Sequence, residues 1–138
     1  MASDQPRIGV VGVGHLGQHH VKHLVKMKHI LFSGIYDHDR DRAGIIASAH
    51  NIKSFDSLPE LIKECDGVTV VTPTADHCKT ALQCLYNGKH VFIEKPISDS
   101  VESADTLLKA AEENGVFIQV GHIERLNPAL VAIKNYEL

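Results

Sequence analysis

Short apolar runs alternate along the chain with stretches whose apolar residues recur at helical spacing. The first run spans 7–13, and the segment after it places three apolar side chains on one face of a helix: Val21, Leu24 and Val25. A second run, 30–36, ends at Asp37 and leads into a segment of helical composition at 39–50. This pattern predicts a strand followed by a helix, repeated once.

The same alternation continues through the rest of the chain. Apolar runs at 67–71, 90–93 and 116–120 predict three further strands, and the helices between them are predicted to end at Asn87-Gly88 and Asn114-Gly115. Strands joined by crossover helices pair in parallel and with right-handed connections. We therefore expect one α/β domain on an open, doubly wound parallel sheet, with ligands at its carboxyl edge.

Two further helix starts carry capping signals. Ser57 and Glu60 have the spacing of a capping box, which predicts a short helix through Glu64. Asn127 and Pro128 have the order of an N-cap followed by the first residue of a helix.

Composition and net charge argue against some classes of binding partner. The 138 residues are 43% hydrophobic and 22% charged, which is typical of a globular domain. The formal net charge of −3 supplies no basic field for a nucleic acid or an anionic membrane surface, so we expect neither partner. Three cysteines without C-x-x-C spacing, and a short polar start without an apolar signal core, favour the cytoplasm.

A glycine-rich turn follows the first predicted strand. Gly12, Gly14 and Gly17 have G-x-G-x-x-G spacing, and they bracket Val13, His15 and Leu16. The first glycine permits a tight turn, the second lets the backbone approach a pyrophosphate, and the third lets the helix pack against the strand. Three glycines in a surface loop would be the simpler interpretation, but the position between strand and helix favours a dinucleotide site.

An acidic residue completes the dinucleotide pattern. Asp37 ends the second predicted strand about 20 residues after the turn, where a carboxylate can bind the adenosine ribose hydroxyls. Its charge repels a 2′-phosphate, which favours NAD over NADP. Arg40 keeps NADP open, since a guanidinium just beyond that strand can pair with the same phosphate.

Polar residues follow two later strands at the same predicted edge. Thr72-Pro73-Thr74 comes after 67–71, and Glu94-Lys95-Pro96 comes after 90–93. A lysine at this edge can donate to a substrate oxygen and take part in acid–base chemistry. The alternative is an ordinary surface lysine in a turn.

These motifs together resemble the glucose-fructose oxidoreductase and inositol 2-dehydrogenase family, known as Gfo/Idh/MocA. The resemblance covers nearly the whole chain and rests on these segments: 8–14, 66–68, Thr72-Pro73, His77, 88–96 and 121–128. It implies a Rossmann domain that binds NAD or NADP for hydride transfer at a secondary alcohol or carbonyl of a sugar, cyclitol or nucleotide-linked sugar. Lys95 corresponds to the family's active-site lysine, and further residues fall where the family contacts or frames the cofactor: Thr72, Pro73, His77, Glu94 and Arg125. Leu126 departs from the usual aromatic residue.

The resemblance also implies a division of the chain. Family members continue into a second α/β domain that carries a catalytic histidine and the sheet used in oligomerisation. We expect a cofactor domain at 1–122 and the start of a helical connection at 123–138, so that these residues alone bind cofactor but turn over little substrate. The parent is expected to be a homo-oligomer.

Other interpretations compete with this one. A methyltransferase also combines a glycine-rich turn with an acid after the second strand, and a non-catalytic NAD(P)-binding sensor or scaffold would need no second domain. Histidines at 15, 19 and 23 are spaced i, i+4, i+8, but no carboxylate or cysteine completes the set. We expect exposed polar positions there and no metal site.

Overall fold

The protein, described here by a computed structural model, folds around one sheet of five parallel strands. The structure describes residues 5–134, so residues 1–4 and 135–138, at the two ends of the predicted division, lie outside it. The strands are β1 (Arg7–Val11), β2 (Leu31–Tyr36), β3 (Gly67–Val70), β4 (His90–Ile93) and β5 (Ile118–Val120). The helices are α1 (His15–Leu24), α2 (Arg40–His50), α3 (Leu58–Lys63), α4 (Thr74–Tyr86), α5 (Val101–Glu113) and α6 (Pro128–Ile133), with a 3₁₀ turn at Ile123–Leu126.

The sheet order is β2-β1-β3-β4-β5, and every ladder is parallel. An extended segment at 53–55 runs along the outer edge of β2, where the Ile35 amide donates to the Lys53 carbonyl and the Phe55 amide donates to the Ile35 carbonyl. With this segment the order is that of a doubly wound fold, and the prediction is confirmed. The direction of strand addition reverses between β1 and β3, which opens a crevice at the carboxyl ends of these strands.

Local signals set several helix ends as predicted. The Ser57 hydroxyl accepts from the Glu60 amide at 3.4 Å, and the Asn127 side chain accepts from the Ala129 amide at 3.0 Å. Gly88 and Gly115 follow α4 and α5 with φ of 68° and 63°, the left-handed region that suits glycine. The first strand is shorter than the predicted run 7–13, because Gly12 turns the chain with φ of 88°.

Two hydrophobic layers hold the sheet in place. One layer joins the sheet to α1 and α2 through buried side chains that include Val10, Val21, Ile35 and Ala43. The other, larger layer joins it to α3, α4 and α5 through a set that includes Leu61, Leu85, Ile93 and Leu107. Because neighbouring residues of a strand point to opposite faces, the layers fix the strand ends from both sides.

The cysteines belong to this interior. Cys65 and Cys84 are buried, Cys78 is half-buried, and all three are free thiols. Burial raises the pKa of the Cys84 thiol to about 12, so this thiol stays protonated and unreactive at neutral pH. Within residues 5–134, the structure contains no helix with the length and apolar character needed to span a membrane.

The close approach of α1 to the end of β1 generates a test of the fold. A Cβ at Gly17 would overlap the Gly12 carbonyl oxygen, whereas a Cβ at Gly44 in α2 would meet nothing within 4 Å. We expect Gly17→Ala to lower the free energy of unfolding by about 1–3 kcal/mol through overpacking. We expect Gly44→Ala to raise it by about 0.5–1 kcal/mol, because alanine loses less backbone entropy in a helix. Urea unfolding followed by circular dichroism measures both changes, and a Gly17→Ala variant as stable as Gly44→Ala would contradict the packing described.

Candidate cofactor site

A cleft of about 770 Å³ lies at the carboxyl ends of β1 to β4. Most of the predicted site residues line it: Gly12, Gly14, His15, Leu16, Asp37, Thr72, Pro73, His77, Glu94 and Lys95. Four predicted residues do not line it: Val13, Gly17, Arg40 and Arg125. The topology therefore brings together positions that are up to 83 residues apart, from Gly12 to Lys95.

The amino end of α1 faces this cleft without a side-chain cap. Its N-cap is Gly14, which has no side chain to accept from the first amides, and the first turn carries no acidic residue. A Cβ at Gly14 would meet nothing within 4 Å, so the space beside it is open. Uncapped amides at the positive end of a helix dipole attract an anion, and the open space fits the pyrophosphate of a dinucleotide.

Gly12 and Val13 fix the shape of the glycine-rich turn between β1 and α1. A Cβ at Gly12 would come within 2.6 Å of the Val71 carbonyl oxygen, so only glycine fits between β1 and the segment after β3. The Val13 side chain is fully buried, and its amide donates to Asp37 Oδ2 at 2.7 Å. Val13 and Gly17 thus support the turn rather than line the cleft.

Asp37 is buried at the end of β2, with an exposed fraction of 4%. Its carboxylate accepts from the amides of Val13 and Asp39 at 2.7 and 2.9 Å, and from Arg42 Nε and Nη2 at 3.3 and 2.9 Å. Burial alone would raise the pKa of Asp37, but these hydrogen bonds outweigh it and hold the pKa below its ordinary value. The group is therefore a carboxylate at neutral pH, with its charge compensated by Arg42.

Of the two arginines that follow β2, only one lines the cleft. Arg40 lies outside the cleft, with Nη1 3.6 Å from Asp56 Oδ1. Arg42 lines the cleft and was not singled out by the sequence analysis. Asp39 caps α2 by accepting from the Arg42 amide at 3.0 Å, and the helix rotation that this cap fixes is not visible in the composition of the segment.

The segment after β3 carries an unpaired polar atom. Thr72 Oγ1 is buried without a hydrogen-bond partner in the described part of the chain, and Thr72 lines the cleft. Buried hydroxyls rarely lack a partner, so this one fits a hydrogen bond to a bound group. The cleft therefore offers polar atoms to both ends of an elongated ligand.

His77 joins the two later loops to each other. It is 1% exposed, and its Nδ1 and Nε2 lie 2.9 Å from the carbonyl oxygens of Pro96 and Thr72, respectively. Whichever nitrogen carries the proton donates to its carbonyl. His77 therefore frames the cleft from a buried position between the loops after β3 and β4, with one ring nitrogen facing a carbonyl oxygen of each loop.

Glu94 and Lys95 end β4 in different environments. Glu94 is 8% exposed, and its Oε1 lies 2.8 Å from Nε2 of His20 on α1, a partner that the sequence analysis missed. Glu94 Oε2 accepts from the Lys95 amide at 3.2 Å. The Lys95 side chain is exposed at the cleft, and within residues 5–134 its ammonium makes neither a hydrogen bond nor an ion pair. The Lys95–Pro96 peptide bond is cis.

Arg125 and the row of histidines on α1 are the other positions that the sequence singled out. Arg125 is exposed on the 3₁₀ turn beyond β5. The rings of His15 and His19 meet edge to face at 5.2 Å between centroids. Among residues 5–134, no three or more His, Cys, Asp or Glu side chains are grouped in a way that could hold a metal ion.

Comparison with known proteins agrees with this geometry. The sequence model of the Gfo/Idh/MocA group, described as an oxidoreductase family with an NAD-binding Rossmann fold, matches residues 6–122. The chain is 36% identical over 124 residues to UDP-N-acetylglucosamine 3-dehydrogenase of Acidithiobacillus ferrooxidans, a match that covers 90% of this chain and 39% of that enzyme. It is 33% identical over 134 residues to scyllo-inositol 2-dehydrogenase (NAD(+)) of Bacillus subtilis, over 94% of this chain and 39% of that enzyme.

Comparison with solved structures agrees with the sequence comparison. The structure of the Acidithiobacillus ferrooxidans enzyme matches with a TM-score of 0.88 at 35% identity, over 94% of this chain and 42% of its own. GenD2 from gentamicin A biosynthesis, solved in complex with NAD, matches with a TM-score of 0.87 at 28% identity, over 93% of this chain and 37% of its own. The chain spans about two fifths of the length of the curated relatives it matches. It belongs to the Gfo/Idh/MocA oxidoreductase family, and within that family it is an NAD-binding Rossmann domain.

Proposed function

We propose that the cleft holds NAD with its pyrophosphate against the amino end of α1 and its adenosine ribose at Asp37. The observation that carries this proposal is the uncapped helix end at Gly14, which opens onto the same cleft as the buried carboxylate of Asp37. Thr72 and Glu94 lie at the opposite part of the cleft, beyond the ends of β3 and β4, where the nicotinamide end would meet them. Arg40 and Arg125 have no place in this proposal, because neither lines the cleft.

The proposed reaction belongs to the whole protein rather than to these residues alone. When bound, the nicotinamide supplies hydride transfer. Lys95 presents an exposed ammonium at the same edge and would donate a hydrogen bond to the reacting oxygen of the substrate. The relatives are named as dehydrogenases of a nucleotide sugar and of an inositol, which supports a secondary alcohol or carbonyl of a sugar, cyclitol or nucleotide sugar as the substrate.

The proposal includes a division of labour between domains. Residues 1–122 would form the cofactor domain, and 123–138 would begin the connection to a second domain that supplies a catalytic histidine and an oligomer interface. Apolar side chains on α6 support this, since Leu130, Val131 and Ile133 are 42–48% exposed and would pack against that domain. We place the protein in the cytoplasm, where its three free cysteines stay reduced.

Calorimetry tests the cofactor assignment. We expect NADH to bind the folded chain, and Gly14→Ala to weaken binding by about tenfold, equivalent to about 1.4 kcal/mol, because the added methyl group occupies the space reserved for the pyrophosphate. The free energy of unfolding of Gly14→Ala should fall by no more than about 1 kcal/mol, since its Cβ meets no protein atom within 4 Å and only the N-cap preference for glycine over alanine is lost. Gly44→Ala is the matched control and should bind as the unaltered chain does. Folded protein that binds neither NADH nor NADPH, or that binds S-adenosylmethionine more tightly, would refute the assignment.

Steady-state kinetics of the full-length protein tests the role of Lys95. We expect Lys95→Met to lower kcat by about 100-fold while NADH affinity stays unchanged, because the ammonium acts on the substrate oxygen. Lys109→Met, on the outer side of α5 beside Glu113, is the control and should leave kcat unchanged. The 138 residues alone should bind NADH with negligible turnover. A full-length protein that binds NADH without oxidising or reducing any sugar, cyclitol or nucleotide sugar would favour a sensor or scaffold instead.

A further inference from the structure

One hydrogen bond ties the middle of α1 to the cleft at the end of β4. Nε2 of His20 lies 2.8 Å from Oε1 of Glu94. An ionised carboxyl group only accepts hydrogen bonds, so this ring nitrogen of His20 carries the hydrogen and donates it. Only 21% of the His20 side chain and 10% of the Glu94 side chain are exposed. The bond is therefore a charge-assisted one that is largely shielded from bulk water.

Neighbouring groups confine the Glu94 carboxylate further. Its Oε2 accepts from the Lys95 amide at 3.2 Å, and a Cβ at Gly121 would lie 3.2 Å from the same oxygen. The His20 ring packs against the Phe92 ring with 5.6 Å between centroids. Within residues 5–134, His20 is the only side chain that donates to Glu94. The direction of this carboxylate therefore depends on His20.

The carboxylate keeps acceptor capacity for a ligand. Each of its oxygens can accept two hydrogen bonds, and each has one protein donor. Glu94 lines the cleft, so the remaining lone pairs are available to a donor on a bound molecule. Without His20, the long side chain of Glu94 would regain rotamer freedom, and a ligand would have to order it again on binding.

The geometry points to His20 as a positioning residue, which fixes the Glu94 carboxylate so that it accepts from the nicotinamide riboside part of a bound dinucleotide. This role rests on the proposed function, which puts the nicotinamide end at Thr72 and Glu94. His20 does not line the cleft, so it acts on the ligand only through Glu94. The alternative is a purely structural bond that fastens α1 to the sheet.

The experiment compares the binding of NADH with that of ADP, which has the adenosine and both phosphates but no nicotinamide riboside. We expect His20→Leu to raise the calorimetric Kd of NADH by about tenfold, the size of one hydrogen bond to a charged group. The Kd of ADP should stay within about twofold. A general loosening of α1 would weaken both ligands, because the amino end of the same helix faces the phosphates.

Two further variants of α1 complete this comparison. In His20→Gln the side-chain amide can donate from about the position of the ring Nε2, so this variant should restore most of the NADH affinity. His23→Leu is the matched control, because His23 is an exposed histidine of the same helix. It should leave the affinities for NADH and ADP unchanged.

A double-variant cycle tests whether His20 acts through Glu94. We expect Glu94→Ala to weaken NADH by about tenfold, and the addition of His20→Leu to weaken it no further. The double variant leaves no carboxylate without its partner, so the comparison stands even if His20→Leu alone folds poorly. Additive losses, an unchanged NADH affinity in His20→Leu, or an equal loss of ADP affinity would overturn the inference. If the unaltered folded chain binds neither NADH nor ADP, the proposed function itself fails.

Discussion

The cleft depends on how closely the start of α1 passes over the end of β1. Gly17 lies against the Gly12 carbonyl oxygen, where a methyl group has no room, and the Val13 amide reaches across to Asp37 at 2.7 Å. The first contact lets the helix begin directly above the strand, with its amide end pointing along the cleft. The second ties the turn to the neighbouring strand β2. Together they place an uncapped helix end and a carboxylate side by side without any further element.

The opposite part of the cleft is held by polar links between loops. His77 lies between the carbonyl oxygens of Thr72 and Pro96, and His20 on α1 reaches Glu94 at the end of β4. These contacts join α1 to the ends of β3 and β4, where Lys95 lies. Lys95 itself remains exposed, which suits a group that meets a substrate brought by another part of the protein.

Features encoded by neighbouring residues could be predicted from the sequence. The apolar runs gave the five strands, and Ser57, Asn127, Gly88 and Gly115 marked helix ends where the structure has them. The edge residues Thr72 and Glu94 could be placed because parallel strands end on one side of a sheet. What could not be predicted are contacts between distant segments, such as the bond between His20 and Glu94, 74 residues apart. The choice between Arg40 and Arg42 depended on the rotation of α2, which the Asp39 cap fixes and composition does not reveal.

The central claim is that a dinucleotide lies along the carboxyl edge of the sheet with its phosphates at the start of α1. An amide NMR titration of the chain with NAD tests it most directly, because each backbone N–H reports on its own surroundings. The account predicts the largest shifts at Gly14, His15 and Leu16. Smaller shifts are expected at Thr72 and at His38, which follows Asp37 and also lines the cleft, and none at Gly88 or Gly115 at the amino ends of β4 and β5. Shifts centred on these amino ends, or saturable binding that leaves Gly14 to Leu16 unmoved, would contradict it.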